Sequence, residues 1–189
     1  MNVILASQSP RRRELMELFR IPFLVQAADV DETMDPSADP AAQVARVSRL
    51  KAEAISRNWE DVVIAADTIV VCQGQILGKP KDEEDACRML RLLSGRVHQV
   101  MTGVTVLCRD EAVVCTEVTD ITFRALTDKE IASYVRTKEP MDKAGAYGIQ
   151  GGGALFAEKL VGDYFNVVGL PVCRLGQILK KVAPQLMEE

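Results

Sequence analysis

The run Val62-Val63-Ile64-Ala65-Ala66-Asp67-Thr68-Ile69-Val70-Val71 constrains this chain more than any other stretch. Its length, β-branched residues and near-continuous apolarity predict a central strand buried on both faces. Such a strand belongs to a sheet with helices packed over it, so the expected fold class is α/β. The exception within the run is Asp67. A buried carboxylate is costly unless a metal, a cation or hydrogen bonds compensate it, and a strand interior supplies few such partners. Asp67 therefore reads as a functional residue. Thr68 either faces the other way or marks a break in the strand.

The stretch Ser7-Gln8-Ser9-Pro10-Arg11-Arg12-Arg13 carries a second anomaly. It follows the apolar run Val3-Ile4-Leu5-Ala6 and reads as strand, turn and helix start. Ser9 suits an N-cap, Pro10 a first helical position, and Leu15, Leu18 and Phe19 recur at helical spacing. A helix N-terminus is partially positive and favours Asp or Glu. Three arginines there are unfavourable unless an anion satisfies them together with the backbone N–H groups, as a phosphate would. The alternative is a solvated basic patch partly neutralised by Glu14 and Glu17.

Phe23-Leu24-Val25 predicts a second strand, followed by an acidic loop with Asp29, Asp31, Glu32 and Asp35. Clustered carboxylates can hold a divalent cation or simply be solvated. Asp39-Pro40 caps a helix expected to reach Asn58, with an inward stripe of Val44, Val47, Leu50, Ala54 and Ile55. Lys51 falls inside that stripe, so it either snorkels outward or points its ammonium into a site. Beyond the central strand, Gln73-Gly74 reads as a hairpin turn, and Gly78-Lys79-Pro80 places Lys79 on a fixed loop. Asp82, Glu83, Glu84 and Asp85 open a helix whose core face is Ala86, Met89, Leu90 and Leu93, ended by Ser94-Gly95.

His98, the only histidine, is either a structural hydrogen-bonding residue or a catalyst. Strands over 100–107 and 113–123 form a hairpin, and Thr127 with Glu130 makes a capping box for a helix ending near Arg136. Residues 139–153 hold five glycines and no period. Tyr147 and Ile149 argue against disorder there, and a ligand wall or lid is expected. Strands are expected at 155–157 and 164–168 across a Gly162-Asp163 turn. Pro171 then opens a helix with Leu175, Ile178 and Leu179 inward.

A chain of 189 residues is long enough for one domain, taken as residues 1–189. Its net charge of -4 excludes a large nucleic-acid footprint, so any anion site is a local cluster of cations. No apolar run approaches membrane-spanning length, and no signal-peptide pattern is present. The five cysteines include no CxxC pair and point to a reducing compartment. Arg11, Arg12, Arg13, Lys51 and Lys79 set against Glu32 and Asp67 suit a metal-bound polyphosphate.

Taken in order, these residues resemble the Maf nucleotide pyrophosphatases. The matching pieces are Leu5-Ala6-Ser7-Gln8-Ser9-Pro10-Arg11-Arg12, Ala66-Asp67-Thr68, Gly78-Lys79-Pro80, Ser94-Gly95-Arg96-Val97-His98 and Thr102-Gly103. They continue with Asp142-Lys143-Ala144-Gly145-Ala146-Tyr147-Gly148-Ile149-Gln150-Gly151 and Val168-Gly169-Leu170-Pro171. The resemblance implies a two-lobed, mixed-sheet α/β fold similar to inosine triphosphate pyrophosphatases, with the ligand in the cleft. It implies a cytoplasmic enzyme, with a homodimer as a family-level expectation, that cuts nucleoside triphosphates to monophosphate and diphosphate with Mg2+ or Mn2+.

The forms at Thr68 and Gln150 are similar to the branch acting on dTTP and UTP. Carried over by position, Asp67 is the catalytic acid/base and, with Glu32, a metal ligand. Arg12, Thr68 and Gln150 bear on base choice. Lys51 and Lys79 serve the phosphates, and Ser7, Ser9 and Arg11 join Arg12 in the substrate site. Arg13 has no role. The alternatives are a 7-methyl-GTP pyrophosphatase, a phosphatase removing the terminal phosphate, and a non-enzymatic nucleotide-binding regulator of septum formation.

Overall fold

The apolar run forms an unbroken strand, β3 (Val62–Cys72), in a computed structural model that describes residues 1–27 and 29–187. The last two residues of the expected domain, Glu188 and Glu189, lie outside the described ones. Every residue of β3 except Thr68 is buried, as a strand covered on both faces requires. The other strands are β1 (Val3–Leu5), β2 (Leu24–Val25), β4 (Gln75–Leu77), β5 (Val97–Cys108), β6 (Glu111–Phe123) and β7 (Ala157–Val161). They form one mixed sheet in the order β2-β1-β3-β5-β6-β7, with β4 also paired to β3.

The chain divides into two compact units, and the boundary inside β3 falls between Asp67 and Thr68. The first comprises Met1–Asp67, Thr102–Glu117 and Gly169–Glu189. In it β1 pairs in parallel with β2 and with β3, in register Ile4↔Leu24 and Ile4↔Val63. Its helices are α1 (Pro10–Glu17), α2 (Pro40–Glu53) and α6 (Val172–Val182). A core of Ile4, Ala52, Ile55, Val63, Ala65 and Leu107 joins strands to α2. Gly103 lets α2 lie close to β5, since a Cβ on it would stand 2.4 Å from the Val44 carbonyl oxygen. Beside it the buried hydroxyls of Ser48 and Thr105 share a hydrogen bond of 2.8 Å.

The second unit comprises Thr68–Met101 and Val118–Val168, with helices α3 (Glu83–Leu93), α4 (Asp128–Arg136) and α5 (Tyr164–Val168). The four core positions expected of α3 are all buried, and Asp82 caps it by accepting the Asp85 N–H at 2.8 Å. The Thr127–Glu130 capping box on α4 is present. Gln73 and Gly74 both adopt positive φ at the β3–β4 hairpin, the geometry of a tight turn between twisted strands.

Several boundaries differ from the sequence reading. The helix from Asp39 ends at Glu53, because Asn58 belongs instead to a turn in which Asp61 accepts its backbone N–H at 3.0 Å. Leu18, expected inward, is exposed, and Met16 is the buried residue beside Leu15. Leu50 and Ala54 are likewise off the buried face of α2. Residues 139–153 are ordered into short 3₁₀ turns at Glu139–Asp142, Ala144–Ala146 and from Gly152 onward.

The expected strand at 164–168 is the helix α5, and β7 starts at Ala157. Asp163 Oδ1 accepts the Phe165 N–H at 2.8 Å, so Asp163 starts a helical turn rather than closing a hairpin. Asn166 then anchors α5 by donating to the Val100 carbonyl and to Thr119 Oγ1. Among the described residues no helix is long and apolar enough to cross a membrane.

Candidate active site

The first unit gathers most of the singled-out residues. Asp67 ends its portion of β3, and α2 carries Lys51 on its buried face. Lys51 does not snorkel: Nζ lies 2.7 Å from Asp67 Oδ1 and 2.8 Å from Glu32 Oε1. One ammonium therefore holds two carboxylates, one buried and one from the acidic loop. The rest of that loop is turn-making. Asp31 and Asp35 accept hydrogen bonds from the side chains and the backbone N–H groups of Thr33 and Ser37, which holds both carboxyls below their usual range. Among the described residues no group of three His, Cys, Asp or Glu converges as a metal cluster.

The start of α1 forms as its residue types require. Ser9 is the N-cap, and Pro10 takes the first helical position. Ser7 Oγ accepts from the Ser9 N–H at 3.2 Å and from Arg12 Nη1 at 3.4 Å. Arg12 Nε donates to the Gly169 carbonyl at 2.8 Å, which ties α1 to the turn before α6. Burial lowers the Arg12 pKa while Asp67 and Glu32 oppose that shift, and a guanidinium stays charged at any physiological pH. The three arginines thus divide. Arg12 is held inward, Arg11 is half-buried, and Arg13 is exposed toward Glu17.

In the second unit Thr68 follows Asp67 on the opposite face of an unbroken strand and is half-buried. Lys79 is exposed and makes no ion pair with a described residue, while the loop beneath it is fixed. The Gly78 carbonyl accepts the Gly145 N–H at 3.0 Å, and Pro80 is buried. Gln150 is exposed in a turn closed by the Gly151 N–H on the Gly148 carbonyl at 3.2 Å. Tyr134 and Glu139, to which the sequence reading gave no part, support that turn. The only hint in the sequence was Glu139 heading the glycine-rich segment.

His98 is structural. It is 2% exposed, its Nε2 is 2.8 Å from the Tyr147 hydroxyl, and it packs edge-on against Phe123. Burial pushes its pKa down to about 4, so the ring is neutral at pH 7.

Within the first unit, a cation held between carboxylates and a second cation at a helix N-terminus are groups suited to phosphates. The profile of the family described as Maf-like protein matches residues 2–182. The chain belongs to the Maf-like family. A relative in Bacillus cytotoxicus, named dTTP/UTP pyrophosphatase, is 49% identical over 179 residues, 94% of each chain. Another of the same name in Bacillus cereus (strain B4264) is 47% identical over 180 residues, 95% of this chain and 94% of that one. Among solved structures, a HAM1 protein from Coxiella burnetii has a TM-score of 0.53 at 15% identity, covering 96% of this chain and 99% of its own. That likeness concerns the fold alone, and the mixed-sheet α/β fold expected from the sequence is the one observed. Membership of the Maf-like family accounts for the matched pieces lying in order along the whole chain.

Proposed function

We infer that this protein hydrolyses dTTP and UTP to the nucleoside monophosphate and diphosphate. The observation that carries the reading is the Asp67–Lys51–Glu32 group, a buried carboxylate placed on an ammonium in a chain so similar to proteins named dTTP/UTP pyrophosphatase.

Cleavage between the α- and β-phosphates needs a water positioned for in-line attack and charge neutralisation on the departing diphosphate. In this reading Asp67 accepts the proton of the attacking water. Lys51 orients Asp67 and supplies positive charge for the phosphates. Arg12 and Arg11, with Ser7 and Ser9 at the start of α1, bind anionic oxygens, and Lys79 adds a cation from its fixed loop. Thr68 and Gln150, with Arg12, bear on base choice. The imide edge of uracil or thymine offers two acceptors flanking a donor, which an amide side chain can match.

Glu32 and Asp67 fit a divalent cation, because their oxygens already share one positive charge at contact distance. Two carboxylates completed by phosphate oxygens is the usual protein contribution for Mg2+. When bound, Mg2+ or Mn2+ held by these two residues would neutralise phosphate charge. The described cysteines are all unpaired thiols, which supports a reducing, cytoplasmic setting.

The test is diphosphate release from a panel of UTP, dTTP, CTP, GTP and 7-methyl-GTP with added Mg2+ or Mn2+, for the wild type and Asp67→Asn. Release from UTP and dTTP that falls by on the order of 10²-fold or more in Asp67→Asn is expected. Preferential turnover of 7-methyl-GTP would assign the sister activity instead, orthophosphate as product would assign a phosphatase, and no turnover would leave a binding protein.

A further inference from the structure

Gln150 sits at the tip of a turn whose two ends are tied to the same pair of side chains. The Gly148 N–H donates to the Tyr134 hydroxyl oxygen at 3.0 Å, and that hydroxyl donates to Glu139 Oε1 at 2.7 Å. Glu139 Oε2 accepts the Gly152 N–H at 3.0 Å. The loop is thereby closed into a ring, with Gln150 on its outer edge.

The glycines follow from that packing. A Cβ on Gly151 would lie 2.3 Å from Glu139 Oε1, and one on Gly153 would lie 2.7 Å from the Gly148 carbonyl oxygen. Residues 148–153 lie flat on Glu139 and Tyr134, so the run is glycine-rich because it is closely packed, not because it is mobile. Tyr134 is itself rigid: it is buried on α4 and packs edge-on against Phe156 with ring centroids 5.0 Å apart. Burial and the Glu139 carboxylate raise its pKa, which keeps it a donor. The Glu139 backbone is held too, its carbonyl accepting from Lys143 Nζ at 2.7 Å.

We propose that Tyr134 and Glu139 are a positioning clamp that fixes the turn presenting Gln150, and through it set the enzyme's selectivity for the base. The proposal rests on the reading of Gln150 as the base-recognising residue. An amide discriminates among bases only when its donor and acceptor are fixed in place; on a mobile turn it would adapt to any base edge. Neither clamp residue needs to touch the nucleotide.

The experiment compares Tyr134→Phe, Glu139→Gln, Glu139→Ala, Gln150→Ala and the Glu139→Ala/Gln150→Ala double variant. It reads kcat and KM for UTP, dTTP, CTP and GTP, and amide hydrogen exchange at Gly148 and Gly152. Tyr134→Phe and Glu139→Ala should lower the ratio of kcat/KM for UTP to that for CTP by on the order of ten-fold, through KM, while kcat for UTP changes little. Glu139→Gln should retain part of the selectivity, exchange at the two glycines should quicken, and the double variant should be no less selective than Gln150→Ala.

Tyr134→Phe removes one oxygen and keeps the packing, so it carries the test if Glu139→Ala does not fold. If Gln150→Ala lowers selectivity and the folded clamp variants do not, the clamp is overturned and the base-reading role stands. A uniform loss of kcat on all four substrates with the ratios preserved makes Tyr134 and Glu139 merely structural and also overturns it. If Gln150→Ala leaves selectivity intact, the base-reading role fails and the clamp falls with it.

Discussion

The Lys51 ammonium is 2.7 Å from Asp67 Oδ1, and each side chain is only 10% exposed. Removing one partner of a buried pair leaves an uncompensated charge, at a cost of about 3–5 kcal/mol. The two removals are not equivalent here. Lys51→Met strands a buried carboxylate, which the charge of Arg12 still attracts, and should lose stability near the low end of that range. Asp67→Asn leaves Lys51 an amide acceptor and the Glu32 carboxylate at 2.8 Å, and should lose less than half as much. The double variant should recover most of the Lys51→Met loss. Urea unfolding at neutral pH over this cycle is the measurement, and equal losses in the two single variants would mean that Glu32 does not share the ammonium.

Lys79 differs from Lys51 in pairing with no carboxylate among the described residues. Its loop is fixed by the hydrogen bond from Gly145 to the Gly78 carbonyl, so the ammonium is presented at no cost in pairing. Lys79→Ala should therefore leave the melting temperature unchanged. It should lower kcat/KM for UTP on the order of 10²-fold, the usual scale for losing one stabilising cation or donor. Steady-state kinetics beside a thermal melt decide this, and an unaltered kcat/KM would remove Lys79 from the phosphate site.

Gly103 packs against the backbone of the helix that carries Lys51. Its missing Cβ is what allows β5 to approach the Val44 carbonyl, and Val44 and Lys51 lie two turns apart on the same buried face of α2. Gly103→Ala should push the helix outward, costing roughly 1–3 kcal/mol as overpacking. It should also lower kcat more than stability alone explains, because the Lys51–Asp67 contact lengthens. Activity measured well below the melting temperature separates the two effects; full activity there would show that α2 keeps its place.

What the sequence made legible were local contradictions. Asp67 in an apolar strand, Lys51 in an apolar stripe and arginines at a helix start each violate a rule that can be checked within a few residues, and each of Asp67, Lys51 and Arg12 proved to be held by a specific partner. The face of α3 was equally legible, because its period and cap agree. What was not legible depends on contacts far along the chain. Asn166 makes α5 a helix by bonding to Val100 and Thr119, although Val167 and Val168 read as strand. That Lys51 is held by Asp67, and Gly152 by Glu139, could not be read from spacing, because tertiary packing brings them together.

His98 offers a test of burial in isolation, since it is the only histidine. Burial lowers its pKa from the ordinary 6.5 to about 4. Between those values the unfolded chain binds a proton at this site and the folded chain does not, so stability rises with pH across the interval. The contribution is fully present above pH 6.5, is lost as pH falls toward about 4, and amounts to roughly 3 kcal/mol at most. The carboxyls held low act lower, since the ordinary value is 3.8 for Asp61 and Asp85 and 4.5 for Glu130. Denaturant unfolding of the wild type should therefore show a stability slope between about pH 4.5 and 6.5 that His98→Gln largely removes, with the slope below that range kept. An identical slope in both proteins would mean that the ring is protonated in the folded state, and that burial does not hold it neutral.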